Sequence, residues 1–555
     1  MIGVMLMILF KSKENRQLIR AYITDDFHAN LMNTFDFEAC HITTIRQELQ
    51  GLPTNEQASV LKALLEPYEL PRFMLLLLKL DDSILEARPK EGIEPTDSLR
   101  KGFERCSLEV AQRIIGFDPL EGRTYINRKQ FAEFLLTICR LTVSEKNSDR
   151  LLIYNAATGR WDDAEIILNR LIIELAHYVG GGERDSWSSV LEKQVMDILL
   201  RKAVITSVRK FNQPVYPFAN VTLNTNTGKF VAHNPDFMAV MGSPIIYNPL
   251  ARAPRFERFL NDIFLEDEDV IGFVQTYFGY IFSQGHQSNV LLIGVGNGAN
   301  GKSTLFNCLE ELIGKSYVAS VPLNNFNTEF GLEPLIDKKL NLATESDANA
   351  FKTGKLKAIT AGESISVNRK NKPEITMILP IKLIFLVNEL PILTDSSLGF
   401  ERRLLILPFK RTFTAEQQDK DLQITLLGEL SGILNWAVEG LNKLIAQNYC
   451  FKIPAALKEA SERYFGVGNP VGKFVQERVN PSSGEVIESK LILELYRHWM
   501  VQQQLPYKGT DSPRVFWKAF ADAMAVAGIE FKKAKSNGRM LVRDVQIDYT
   551  IQQEV

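Results

Sequence analysis

Apolar runs and helical patterns alternate through the middle of this chain of 555 residues. A continuous apolar run at 290–295 predicts a buried strand, and residues 304–313 follow with helical spacing that ends at Gly314. Further strands are predicted for the apolar segments 339–344, 382–387 and 403–408. An α/β core with a parallel sheet is therefore expected over residues 286–410.

The flanking parts of the chain have different patterns and divide into further predicted domains. These are an N-terminal domain of unknown role at 1–120, a mostly helical domain at 125–285, a helical lid with a linker at 411–475, and a winged-helix module at 478–555. The winged-helix prediction depends on helical patterns at 487–500 and 513–527, followed by short strands on both sides of Asn537-Gly538. Asn-Gly between two strand patterns is a strong hairpin signal.

Composition and charge narrow the class of protein. Hydrophobic residues make up 45% of the chain and charged residues 23%, as in a globular protein. The net charge of −2 provides no general basic field, so any contact with nucleic acid would depend on local patches. The five cysteines are scattered without metal-ligand spacing, which favours a reducing compartment and a cytoplasmic location. The apolar start at 1–10 is too short to span a bilayer, and we expect a buried strand or helix there and no membrane partner.

The segment after the first predicted strand fits the pattern G-x-x-x-x-G-K-[ST] of a phosphate-binding loop. Its glycines allow backbone N–H groups to point inward at phosphates, and the following helix turns its positive end toward them. Lys302 can reach the β- and γ-phosphates of ATP, and the Ser303 hydroxyl can ligate Mg²⁺. The predicted nucleotide-binding residues are Gly296, Asn297, Gly298, Ala299, Asn300, Gly301, Lys302, Ser303 and Thr304.

Polar residues follow two of the other predicted strands. Glu345 follows 339–344, and Asn388 follows 382–387. Because ligands bind beyond the carboxyl ends of strands in open parallel sheets, both side chains are expected in one crevice with the loop. Glu345 would help to hold Mg²⁺ and polarise the attacking water, and Asn388 would orient that water or contact the γ-phosphate. A helix cap or a solvated strand end is the alternative for each residue alone.

Basic residues stand out in two further places. An alternating pattern on both sides of a basic tip predicts a β-hairpin, in which Arg369, Lys370 and Lys372 would contact nucleic-acid phosphates. Arg402 and Arg403 precede the last predicted strand, and from there a guanidinium would enter the site of a neighbouring subunit. A solvated turn and a surface salt bridge are the respective alternatives.

Together these segments resemble superfamily 3 helicases, and within them the phage, plasmid and poxvirus primase-helicase branch. The resemblance covers about residues 125–550, and it depends on the segments 296–304, 342–345, 386–391 and 399–404. Many members of the superfamily have two adjacent acids in the second motif. Here Thr344 stands before Glu345, as is also common in the branch named.

The resemblance implies a homohexameric ring of AAA+-like phosphate-loop ATPase cores that hydrolyses ATP with Mg²⁺ at its subunit interfaces. It implies catalytic roles for Lys302, Glu345 and Asn388, and a finger acting in trans that would be Arg403 in preference to Arg402. The basic hairpin would face a central channel that carries single-stranded DNA. Such a helicase would act on forked DNA during replication of a phage, plasmid or other mobile element, with an initiator or a primase as a further partner.

Two alternatives to a pure helicase remain open. A bifunctional primase-helicase would use metal held by Asp36 with Glu38, or by Asp81 with Asp82, although the N-terminal region is short for a complete primase domain. An origin-binding initiator would use ATP only as an assembly switch, with sequence preference supplied by the C-terminal module.

Overall fold

The computed structural model separates into two compact units, Met1–Tyr247 and Asn248–Val555. The residues that it describes are 21–23, 42–65, 83–88, 90–120, 123–145, 147–180, 186–207, 210–211, 213–344, 353–391, 398–468, 470–503, 513–536 and 539–548. Within these ranges, none of the helices combines the length and the apolar character needed to cross a membrane. Asp36, Glu38, Asp81, Asp82 and Glu345 lie outside the described residues.

The first unit combines helices with short strands around a main apolar core and a smaller cluster of Leu152, Tyr154, Trp161 and Met238. Its helices are α1 (Ile42–Gln50), α2 (Thr54–Leu65), α3 (Ser83–Glu86), α4 (Asp97–Ile115), α5 (Arg128–Ile138), α6 (Glu165–Val179) and α7 (Ser189–Lys202). Its strands are β1 (Phe117–Leu120), β2 (Arg123–Ile126), β3 (Leu141–Ser144), β4 (Asn147–Asn155), β5 (Arg160–Asp163), β6 (Val204–Thr206), β7 (Val215–Pro217), β8 (Thr222–Asn224) and β9 (Lys229–Val231). Phe131, Phe134 and Leu171 are fully buried at the centre of the core.

Strands are more prominent in this unit than its sequence pattern indicated. β5, β4, β3 and β6 form one sheet in that order, and β7, β8 and β9 form an antiparallel sheet. The region predicted as a mostly helical domain at 125–285 therefore contains two sheets besides its helices. Strands of three or four residues carry too little alternation to be recognised by periodicity.

The second unit begins with helices and continues into alternating strands and helices. Its helices are α8 (Pro254–Phe264), α9 (Glu268–Phe282), α10 (Lys302–Ile313), α11 (Gly354–Ala361), α12 (Leu398–Glu401), α13 (Leu422–Gly428), α14 (Leu430–Ala446), α15 (Ala455–Gly468), α16 (Pro470–Arg478), α17 (Ser489–Gln502) and α18 (Pro513–Val526). Its strands are β10 (Leu291–Val295), β11 (Val318–Ala319), β12 (Leu340–Ala343), β13 (Ile365–Arg369), β14 (Lys372–Met377), β15 (Lys382–Val387), β16 (Leu404–Pro408), β17 (Val479–Glu488), β18 (Lys532–Ser536) and β19 (Arg539–Ile547).

A parallel sheet forms the centre of this unit, with its strands in the order β11-β12-β15-β10-β16. The side chains of β12 and β15 are buried along their whole length, as expected for strands covered on both faces. In the registers, Val295 pairs with Val387 and Leu291 pairs with Leu404. The predicted α/β core with a parallel sheet is confirmed.

Helices α9 and α14 pack at backbone contact. A Cβ atom on Gly279 would collide with the backbone of Leu441, and one on Gly440 would collide with the backbone of Gln275. The Gln275 side chain also donates a hydrogen bond to the Trp436 carbonyl at 3.0 Å. Glycine is thus required on both helices. Helices α8 and α9 belong to the second unit, which begins at Asn248. The other domain boundaries stay predictions.

The C-terminal part of the second unit contains α16, α17 and α18 and the antiparallel sheet β17-β19-β18. Phe474, Tyr496, Trp499 and Phe516 pack together in its core. The helices and the β18–β19 hairpin lie where the pattern placed them. Strand β17 is an addition that the pattern did not predict, because most of its side chains are polar and exposed.

Candidate functional site

The loop between β10 and α10 lies at the carboxyl edge of the parallel sheet. Gly296 donates its N–H to the Val387 carbonyl at 3.3 Å, and Phe409 donates its N–H to the Val295 carbonyl at 2.8 Å. The ends of β15 and β16 therefore hold the start of the loop from both sides. The Ala299 carbonyl accepts the Phe413 N–H at 2.8 Å, which fixes the tip of the loop as well.

Two glycines are required by the shape of this loop. Gly301 has φ of 83°, in the left-handed region, and a Cβ there would lie 2.6 Å from Ile263 Cγ2. A Cβ on Gly296 would lie 2.6 Å from the Phe409 carbonyl oxygen. Both glycines therefore let the backbone of the loop lie close to its neighbours.

Lys302 is the first residue of α10 and is only 7% exposed. Its ammonium donates a hydrogen bond to the Gly296 carbonyl, and Nζ lies 3.5 Å from Asn388 Oδ1. Burial lowers the pKa of the Lys302 ammonium. A buried cation is thus held inside the loop by neutral oxygen atoms, next to the exposed side chain of Ser303.

The ends of the neighbouring strands supply the rest of this edge. β15 ends at Val387, so Asn388 stands exposed directly after it and beside Lys302. β12 ends at Ala343, and the exposed Thr344 follows. The structure thus brings Lys302 and Asn388 together. Glu345, the predicted Mg²⁺ ligand, follows Thr344 in the sequence and lies outside the described residues.

Arg402 and Arg403 lie at the opposite, amino edge of the sheet, because Leu404 pairs with Leu291 at the start of β10. Arg403 is half-buried, and its guanidinium donates to the Gly399 carbonyl. Arg402 is exposed. Within its own chain, neither arginine is near Lys302, since the length of β10 separates them, about 13 Å for four steps along a strand.

The basic hairpin is formed by β13 and β14, with a tip at Lys370 and Asn371. Lys370 and Lys372 are exposed, and Arg369 Nε donates to the Pro373 carbonyl at 3.0 Å. The Lys370 N–H donates to Glu333 Oε2 at 3.1 Å, a contact between segments far apart in sequence.

Arg411 is a residue near the loop that sequence reasoning missed. It follows the carboxyl end of β16, donates to the Asp262 carbonyl at 3.3 Å, and lies 4.8 Å over the ring of Phe413. Phe413 in turn bonds to Ala299 in the loop. The signal was present, since Arg411 is a polar residue beyond the end of a predicted strand, like Asn388.

Basic side chains also line the C-terminal hairpin. Lys532, Lys533, Lys535 and Arg539 are exposed on β18 and β19. The Lys533 ammonium lies 3.7 Å over the ring of Trp517 on α18, and partial burial lowers its pKa. This surface is physically suited to phosphate groups.

Comparisons with known proteins match two separate parts of the chain. Residues 143–265 match the family model described as D5 N terminal like. Residues 294–403 match a family of unknown function, DUF5906, and this span contains the loop, Asn388 and the arginine pair. Both matches are consistent with the resemblance to phage and plasmid primase-helicase proteins.

Several solved structures of one protein region are also similar to this chain. They are apo structures of the NrS-1 C terminal region, and an A form of it is 13% identical, with a TM-score of 0.40, over 74% of this chain and 96% of that chain. An A form of residues 305–718 has 13% identity and a TM-score of 0.42, and a further apo structure of 305–718 has 12% and 0.41. Each covers 73% of this chain and 96% of the other. With TM-scores below 0.5, these likenesses assign neither a fold nor an activity.

Proposed function

We propose that this protein is an ATP-dependent DNA helicase that works as a homohexameric ring in replication of a phage, plasmid or other mobile element. One observation carries the proposal. The buried Lys302 ammonium lies at the start of α10, within the loop and 3.5 Å from Asn388 Oδ1, where adjacent parallel strands end. This is the arrangement that binding and cleavage of a nucleoside triphosphate needs.

The loop would bind the phosphates of ATP, and its own geometry supports this role. The glycines at 296 and 301 let the loop pack closely against Phe409 and Ile263, and the positive end of α10 lies at the loop. Lys302 would exchange the Gly296 carbonyl for phosphate oxygens. Ser303 and Glu345 would hold Mg²⁺, which neutralises charge on the phosphates when bound. Asn388 would orient the attacking water.

A ring is proposed because the arginines lie at the wrong edge of the sheet for their own nucleotide. An arginine there can complete the site of the next subunit, where it neutralises charge that develops in the transition state. Exposure favours Arg402 for this role, since the Arg403 guanidinium is bonded to Gly399. This reverses the preference that came from the resemblance.

The basic hairpin would contact single-stranded DNA in the channel. Lys370 and Lys372 are exposed on its tip and can contact phosphates without regard to base sequence. We propose that the C-terminal part is a winged-helix module, because it combines three helices with an antiparallel sheet and a basic hairpin. That basic surface also supports the second candidate, an initiator that binds origin DNA and uses ATP as an assembly switch.

Replacement of Lys302 tests the proposal. Lys302→Ala is expected to abolish ATP hydrolysis and the separation of forked DNA, while the melting temperature stays near that of the wild type. Lys315→Ala, which removes an exposed lysine just beyond the other end of α10, is the matched control and should retain both activities. Strand separation by Lys302→Ala, or full ATP turnover by a monomer, would falsify the proposal. Ring formation and DNA binding without turnover would favour the initiator.

A further inference from the structure

The tip of the β13–β14 hairpin is tied to a distant part of the chain by one carboxylate. Glu333 Oε2 accepts the backbone N–H of Lys370 at 3.1 Å, across 37 positions of sequence. The tip itself is a tight turn, in which Asn371 has φ of 58°. Arg369 and Lys372 pair directly below it. The contact therefore lies in the middle of the basic cluster.

The segment that carries Glu333 is fixed to the core of the second unit. Glu333 begins a short helical turn, Glu333–Leu335, and its neighbours Leu332 and Leu335 are 3% and 1% exposed. Both pack in the same apolar cluster as Val367 of β13. A Cβ on Gly331 would collide with the Asn325 carbonyl, so the backbone before Glu333 is tightly folded. Glu333 is thus an anchored acceptor.

The bond from Glu333 goes to the backbone of the tip, where it fixes position without neutralising a lysine ammonium. Lys370 and Lys372 keep exposed side chains while the backbone between them is held. Packing of Val367 in the apolar cluster holds the base of the hairpin, and the bond from Glu333 holds the backbone at its tip. The Glu333 carboxylate therefore fixes the backbone position from which the lysine side chains extend.

We infer that Glu333 is a positioning residue for nucleic acid, which holds the hairpin tip so that Lys370 and Lys372 meet the phosphates of a single strand. This inference rests on the proposed function, because it assumes that the hairpin contacts DNA. A carboxylate at a phosphate-binding surface has one competing role, in which it occupies the tip and repels the incoming strand. The two roles predict opposite effects of its removal.

Three variants of the full chain separate these roles. Glu333→Ala removes the acceptor and the charge, and Glu333→Gln removes the charge but keeps an oxygen that can accept the Lys370 N–H. Glu329→Ala removes an exposed charge from the same segment and measures the general effect of one negative charge. The readout is the dissociation constant for a fluorescent oligothymidylate, measured by anisotropy at several salt concentrations.

For a positioning residue, Glu333→Ala is expected to weaken binding about tenfold, the cost of removing one hydrogen bond to a charged group. Glu333→Gln and Glu329→Ala should both bind within about twofold of the wild type, because a single exposed charge has a small effect. Tighter binding by both Glu333 variants than by Glu329→Ala would overturn the inference in favour of repulsion. Unchanged binding by Glu333→Ala would overturn it as well. The melting temperature of each variant is measured as well, and binding is compared at a temperature at which all of them are folded, so that weaker binding by Glu333→Ala does not come from unfolding.

A double variant, Lys370→Ala with Lys372→Ala, distinguishes failure of this inference from failure of the proposed function. If the hairpin binds DNA, this variant should bind more weakly and with a shallower salt dependence, by about one unit of slope for each phosphate that a lysine no longer neutralises. Unchanged binding by this variant would remove the hairpin from the proposed DNA path. Weak binding by this variant together with normal binding by Glu333→Ala would reject the positioning role alone.

Discussion

The two edges of the parallel sheet both hold buried lysines, but in opposite electrostatic surroundings. At the amino edge, Lys339 and Lys382 are 4% and 1% exposed, and at the carboxyl edge Lys302 is 7% exposed. Lys339 Nζ donates to the Ser283 carbonyl at 2.8 Å, and Lys382 donates to the Gly285 carbonyl and lies 3.8 Å over the ring of Tyr280. Both carbonyls follow the end of α9, where the helix dipole is negative.

Lys302 lies at the opposite, positive end of a helix dipole. It begins α10, so the positive end of the helix dipole and its own charge lie together. Its oxygen partners are a backbone carbonyl and, at 3.5 Å, an amide. At the amino edge, carbonyls at the negative end of a helix dipole face the two lysines. At the carboxyl edge, the positive end of α10 and the Lys302 ammonium add to a positive potential that an anion would neutralise. The difference separates lysines that support the fold from the lysine that we propose binds phosphate.

The amino edge also has an exposed cation in Arg402, and its removal should have the largest effect. Arg402→Ala is expected to lower the rate of ATP hydrolysis by about 10³-fold, as for loss of an arginine finger. Arg403→Ala should mainly lower the melting temperature, because the Arg403 guanidinium is bonded to Gly399 within the chain. Steady-state hydrolysis at saturating ATP measures both variants.

Mixing two inactive variants tests whether Arg402 acts between subunits. A ring that contains Lys302→Ala and Arg402→Ala chains has some interfaces in which an intact loop faces an intact arginine. Hydrolysis should therefore recover in part when the two are combined before assembly. If both assemble and the mixture stays inactive, the amino edge has no role in a neighbour's site.

At the carboxyl edge, two glycines of the same loop form a matched pair. A Cβ on Gly296 would lie 2.6 Å from both Asn300 Nδ2 and the Phe409 carbonyl, whereas one on Gly298 would meet no heavy atom of the described residues within 4 Å. Gly296→Ala should weaken nucleotide binding about 100-fold, the upper range of an overpacked site. Gly298→Ala should stay within about threefold, since an open position costs little. Equal losses in equilibrium nucleotide binding would contradict the proposed shape of the loop.

Asn388 should have a smaller effect, confined to the chemical step. Asn388→Ala is expected to reduce kcat about tenfold, the value of one hydrogen bond, with KM for ATP little changed. Glu389→Ala changes the next residue, which is also exposed, and serves as the control. An increase in KM without loss of kcat would assign Asn388 to ground-state binding.

The sequence predicted the carboxyl edge better than the amino edge, and the reason is physical. Lys302 and Asn388 were found because a loop pattern and the ends of apolar strands have fixed meanings in a parallel sheet. The bonds of Lys339 and Lys382 depend on where α9 ends relative to strands that come later in the chain. No local pattern records that contact, and lysine is usually exposed.

The same limit applies to Glu333 and to the strands of the first unit. The Glu333–Lys370 bond joins segments 37 residues apart, and only the folded chain brings them together. The backbone contact of Gly279 with Leu441 is likewise tertiary, although both helices were predictable from their apolar spacing. Sequence patterns thus predicted the longer helices and strands and the loop. Tertiary packing determines which charged side chains have hydrogen-bond partners within the chain.

The pH dependence of stability tests the surroundings of Lys339 at the amino edge. Replacement of Lys339 is not expected to change ATP turnover. Burial lowers the pKa of Lys339 from 10.5 to about 7, and its ionisable neighbours are the buried Lys382 and the half-buried His286. Between these two pH values the unfolded chain binds a proton that the folded chain does not. Stability of the wild type should therefore rise as pH increases from 7 toward 10.

Lys339→Met removes this dependence, so the melting temperature of the wild type relative to that of the variant should increase between pH 7 and pH 9.5. Groups far from Lys339 titrate equally in both proteins and cancel in the difference. The charge of Lys339 also lowers the pKa of Lys382, so loss of that effect in the variant adds to the difference in the same direction. Lys420→Met, at an exposed position, should follow the wild type over the whole range. Parallel melting curves for Lys339→Met and the wild type would mean that Lys339 stays charged in the fold. The two edges would then differ only in the helix pole that each lysine faces.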